Sequence, residues 1–165
     1  MPNIDWKKLG FGFSDVNCHI RYTWKDGTWD KGELVKEPYI TMHIGAACLH
    51  YGQEAFEGLK VFTQKNGAIA AFRPEANAER MFKTAQRTVM PPVPVPMFLE
   101  ALDRVVKANK EFVPPYGTGG SMYVWSEKKA ILIRDYATIM LKGKRPNEWR
   151  RIRARNIIGD ELRLQ

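Results

Sequence analysis

Four prolines within seven residues, Met90-Pro91-Pro92-Val93-Pro94-Val95-Pro96, constrain this chain more than any other feature. Each proline fixes φ near about −65° and removes a backbone N–H, so neither a helix interior nor an inner strand can run through them. The segment reads as a rigid extended connector that ends one helix and launches another. Before it, Asn77 is a suitable N-cap for a helix Ala78 to Arg87, with Met81, Phe82 and Ala85 on one face. After it, Met97 to Phe112 carries Phe98, Leu102, Val105, Val106 and Asn109 at helical spacing. Pro114-Pro115-Tyr116-Gly117 breaks that helix, and the turn Thr118-Gly119-Gly120 leads into a strand Ser121 to Val124.

The strands come in hairpins. Residues His19 to Trp24 alternate into Lys25-Asp26-Gly27, and Thr28-Trp29 resumes beyond it. Thr41 to Gly45 and Leu59 to Phe62 read as further strands, and Gln64-Lys65-Asn66-Gly67 carries the Asn-Gly turn signal before Ala68 to Phe72, which Pro74 stops. Hairpin pairs followed by two helices and a strand predict an α+β fold, a mostly antiparallel sheet with flanking helices, rather than a doubly wound sheet.

At 165 residues the chain suits one modest domain. No run approaches the ~18 apolar residues of a membrane span, and MPNIDWKKLG lacks the apolar stretch of a secretory signal, so the expected location is cytoplasmic, with no membrane partner. Cys18 and Cys48 read as reduced thiols. Charge is uneven: 15 basic and 13 acidic residues up to Val124 give net +2, whereas 11 basic and 5 acidic residues after it give net +6. The tail's KGKRPNEWRRIRARN could hold nucleic acid through charge alone, or be a solvated basic segment; only Trp149 interrupts the cluster, and no recognition motif accompanies it.

The densest chemical candidate is Leu49-His50-Tyr51-Gly52-Gln53-Glu54-Ala55-Phe56-Glu57-Gly58-Leu59-Lys60. Two aromatics and two carboxylates between glycines suit the wall of a small-molecule pocket, or a loop with two core aromatics. His43, Cys48 and His50 lack metal-site spacing, and no metal is expected. Arg80, in the first turn of the helix expected after Asn77, is either a phosphate clamp or an exposed arginine paired with Glu75 or Glu79. The glycine-rich turn at 117–120 lacks the pattern of a P-loop or a dinucleotide fingerprint and reads as a connector.

The motifs LHYGQEAFEGLKVF, AFRPEANAERMFKTAQR, MPPVP and VKANKEFVPPYGTGGSMYV, in that order and spacing, resemble the N-terminal part of a branched-chain amino-acid aminotransferase, a fold-type IV pyridoxal-phosphate enzyme. The resemblance runs from about residue 4 to 124, which divides the chain into an aminotransferase-like domain, 1–124, and a basic tail without resemblance, 125–165. It implies the small domain of that fold, pyridoxal 5'-phosphate as cofactor, and amino transfer between Leu, Ile or Val and 2-oxoglutarate. It further implies that Arg80 binds the cofactor's phosphate. Tyr51, Phe56 and Tyr123 would line the substrate side-chain pocket, with Gly58 where backbone approaches substrate.

Two departures bear on activity. The family's strand continues as Tyr-x-Arg-Pro, with an arginine for the substrate carboxylate, whereas this chain has Tyr123-Val124-Trp125-Ser126. The family's Schiff-base lysine sits in a second domain, and none of Lys128, Lys129, Lys142 or Lys144 lies in its motif. The expectation is therefore a chain truncated before that lysine, inactive alone and contributing no catalytic residue. The abrupt end of resemblance with a rise in arginine reads as a frameshift or chimeric product, or else as a partner-binding extension. The alternative function is a non-catalytic protein docking on a full-length paralogue, or a homo-oligomer, with exposed apolar surface around Tyr51, Phe56 and Tyr123.

Overall fold

The computed structural model describes residues 4–6, 15–132 and 136–140; the arginine-rich part of the tail lies outside them. The chain opens with short antiparallel pairs. Strand β1 (His19–Arg21) pairs with β4 (Glu33–Val35), and between them β2 (Trp24–Lys25) pairs with β3 (Thr28–Trp29). The β2–β3 turn is the one read from Asp26-Gly27, both at positive φ, and Trp24 and Trp29 meet edge to face at 5.3 Å across it.

Thr41 to Gly45 is not a strand. Its backbone is satisfied locally, the Gly45 N–H by the His43 ring at 3.0 Å and the Ala46 N–H by the His43 carbonyl at 2.9 Å, which makes a turn into α1 (Ala47–His50). Beyond α1 lies β5 (Glu54–Thr63), longer than the sequence suggested because it begins within the segment that could have been a loop. The turn Gln64–Gly67 joins it to β6 (Ile69–Ala71), with Gly67 at φ +83° and Asn66 Oδ1 accepting from the Ala68 N–H.

Helix α2 (Pro74–Arg87) begins one turn earlier than Asn77 predicted. Pro74 starts the helix as well as stopping the strand, because a proline at the first helical position loses no hydrogen bond. Arg73 is the N-cap residue, in left-handed conformation at φ 48°, and Asn77 is buried inside the helix. Helix α3 (Val95–Ala108) is shorter than Met97–Phe112 at its end, because the Asn109 side chain leaves helical bonding to clasp Cys18: Nδ2 donates to the Cys18 carbonyl at 3.0 Å. A 3-10 turn, Lys110–Phe112, follows. The proline connector between α2 and α3 is anchored: Met90 and Val93 are buried, and Trp29 Nε1 donates to the Pro92 carbonyl at 3.2 Å.

Strand β7 (Met122–Leu132) runs past Val124 and, with β8 (Tyr136–Met140), completes an antiparallel sheet ordered β6-β5-β7-β8. The sheet thus runs through residue 124, where the sequence suggested a boundary. One face of β5 sends Ala55, Leu59 and Val61 into a core with Met81, Ala85, Phe98, Val105 and Val124. The α+β class expected from the hairpins is the class observed.

Candidate functional site

Alternation along β5 puts Phe56, Gly58, Lys60 and Phe62 on the face opposite the core. Antiparallel register places Trp125 beside Gly58 and Tyr123 beside Lys60. A Cβ on Gly58 would collide with the Tyr123 hydroxyl, so the missing side chain is what lets the Tyr123 ring lie across β5. Trp125 joins the aromatics edge to face, 5.8 Å from Tyr123 and 5.9 Å from Phe56, and its buried Nε1 has no hydrogen-bond partner among the described residues.

This face and the start of α2 enclose an open cleft of about 620 Å³ lined by Gly58, Lys60, Phe62, Phe72, Arg73, Asn77, Arg80 and Tyr123, with Leu59 and Ala76. Lys60, Arg73 and Arg80 make it cationic, and no acidic side chain among the described residues lines it. Arg80 stands in the second turn of α2, not the first, so it does not share a site with the helix's free N–H groups. It pairs with neither Glu75 nor Glu79 but with Glu57 on β5: Nη2 donates to Oε2 at 2.7 Å and Nε to Oε1 at 3.3 Å. Asn77 Nδ2 donates to the same Oε2 at 2.6 Å and to the Gly58 carbonyl at 3.0 Å. Burial, and next the Glu57 carboxylate, push the Tyr123 hydroxyl above the usual phenol range, so it stays protonated near neutrality as a donor.

Of the sequence-predicted residues, Gly58, Arg80 and Tyr123 share the cleft, and Phe56 adjoins it through Trp125. Tyr51 does not line it; it caps α1 and is 81% exposed. His43 and His50 serve local turns, His50 Nε2 lying 2.6 Å from the Ile44 carbonyl. Glu57 and Lys60 lay in the candidate segment without a role of their own, and Asn77 and Arg73 were not singled out for the site. The i, i+3 spacing of Asn77 and Arg80 was a usable signal, but their shared partner on β5 is a long-range contact.

Comparison with known proteins gives this geometry its lineage. The branched-chain-amino-acid aminotransferase of Haemophilus influenzae is 46% identical over 124 residues, covering 75% of this chain and 36% of the relative. The chain belongs to the branched-chain aminotransferase family. The enzyme of the same name from Helicobacter pylori is 40% identical over 124 residues, again 75% of this chain and 36% of that one. The chain thus spans about a third of the length of the curated relatives it matches. Its fold matches the N-terminal domain of branched-chain aminotransferase structures: that from Escherichia coli superposes with TM-score 0.55 at 16% identity, covering 77% of this chain and 40% of that one. The branched-chain aminotransferase from Thermoproteus uzoniensis, solved with norvaline, gives TM-score 0.54 at 19% identity over 75% of this chain and 40% of that one. No family model matches.

Proposed function

We propose that this chain supplies one wall of a branched-chain aminotransferase site, with Arg80 holding the phosphate of pyridoxal 5'-phosphate. The observation that carries the reading is the cationic cleft in which Arg80, Gly58 and Tyr123 meet. A phosphate dianion fits it: Arg80 is 58% exposed with Nη1 unpartnered among the described residues, and no carboxylate lines the space. Bound there, the cofactor would supply the electron sink for moving an amino group. Phe56, Tyr123 and Gly58 present the aromatic and backbone surface that a Leu, Ile or Val side chain requires, whereas Tyr51, exposed at the end of α1, lies outside the cleft.

The chain alone does not complete the transfer, because its cleft is open on one side and the resemblance assigns the cofactor's lysine to a domain outside residues 1–124. Strand β7 crosses residue 124, so the fold has no break there. The exposed aromatics Phe56, Phe62, Phe72 and Tyr123 favour a complementary domain as the cover of the cleft.

Two measurements test this. The purified chain should bind pyridoxal 5'-phosphate on the order of tenfold or more tightly than pyridoxal, the worth of charge-assisted bonds to the phosphate, and Arg80→Ala should erase the preference. Equal binding of the two by the unaltered chain would overturn the reading. Leucine-dependent glutamate formation from 2-oxoglutarate should be absent, and a rate that survives rigorous repurification would refute the inactivity.

A further inference from the structure

We infer that Glu57 is a positioning residue for phosphate binding, holding the Arg80 guanidinium by one edge so that the other faces the cleft. The inference rests on the proposed role of Arg80 and deepens it. A free arginine side chain has four flexible torsions, and its fork gives directional binding only when the plane is fixed. Here the Nε and Nη2 edge is occupied by the two Glu57 oxygens at 3.3 and 2.7 Å, and Nη1 has no partner among the described residues. Glu57 is itself held. Its side chain is 14% exposed, and buried Asn77 donates to its Oε2 at 2.6 Å while gripping the Gly58 carbonyl at 3.0 Å.

The placement also separates the charges. Arg80 and Asn77 line the cleft and Glu57 does not, so an incoming anion meets the guanidinium before the carboxylate. Glu57 sits between two residues that face the cleft's strand side, Phe56 and Gly58, and its opposite direction follows from strand alternation.

The opposing possibility is that Glu57 occupies Arg80 in place of phosphate and must be displaced. Glu57→Gln separates the two. Positioning predicts that the preference for pyridoxal 5'-phosphate over pyridoxal falls about tenfold in the full chain. A preference that rises, or one left unchanged, overturns the inference. A second readout needs no substitution at 57: in 15N–1H spectra of the unaltered chain, the Arg80 Nε–H signal, identified by its loss in Arg80→Lys, should keep its bonded shift when inorganic phosphate is added. Movement of that signal to the position of a solvent-exposed arginine would mean displacement and would overturn the inference. If instead Arg80→Ala leaves the preference intact, the proposed role of Arg80 itself fails, and the inference fails with it.

Discussion

The two faces of β5 differ more than two separate elements often do. Toward the helices, Ala55, Leu59 and Val61 are at most 5% exposed and meet Met81 and Ala85 of α2. Toward the cleft, Phe56 and Phe62 are 38% and 40% exposed, and Gly58 has no side chain at all. One face packs the core and the other lines the cleft, within a single ten-residue strand. Glu57 is the exception that links them: it points to the helix side, yet what it holds is the cleft's arginine.

That contrast yields an ordered set of tests. Met81→Ala, which empties a fully buried position on α2, should cost about 2–5 kcal/mol, read as a lowered denaturation midpoint with unchanged slope. A loss under about 1 kcal/mol would mean that the inner face is not the packed core described. Gly58→Ala should cost less, about 1 kcal/mol, because what its Cβ meets is the far end of the Tyr123 side chain, which can swing away. It should nevertheless weaken pyridoxal 5'-phosphate binding by moving the ring out of the cleft. Equal stability losses for the two substitutions would erase the distinction between faces.

The smallest effect concerns His19. Its pKa is lowered from 6.5, first by burial and then by the Arg21 guanidinium, against an opposing pull from Glu33. A depressed folded pKa stabilises the neutral form, so this contribution is present above pH 6.5 and is lost as pH falls through the folded value. Stability should therefore drop modestly on acidification, and His19→Gln should flatten that part of the profile. A profile unchanged by the substitution would show that His19 is not the group responsible.

The legible parts of this fold were those written in local chemistry. Asp26-Gly27 and Asn66-Gly67 gave their hairpin turns, and the proline run separated α2 from α3. Pro74 carries two local meanings, strand end and helix start, and taking only the first shifted α2 by a turn and Arg80 with it. Thr41 to Gly45 had the composition of a strand but pairs with no strand among the described residues, and a histidine ring closed it into a turn. At the site, Arg80, Gly58 and Tyr123 came from family motifs and do share the cleft. The Glu57–Asn77–Arg80 cluster did not come from sequence, because a carboxylate in a strand and a polar pair on a helix acquire meaning only when β5 packs on α2.

The central claim is that the outer face of β5 and the start of α2 form the cofactor's phosphate site. The most direct test is to titrate pyridoxal 5'-phosphate into the 15N-labelled full chain, with pyridoxal as control, and map the backbone amides that shift. The account predicts phosphate-dependent shifts grouped on Gly58, Arg73, Arg80 and Tyr123, with Ala55 and Val61 changing less and Tyr51 unaffected. Shifts that are the same for both compounds, or that centre on Tyr51 or on the helix-facing residues, would contradict it.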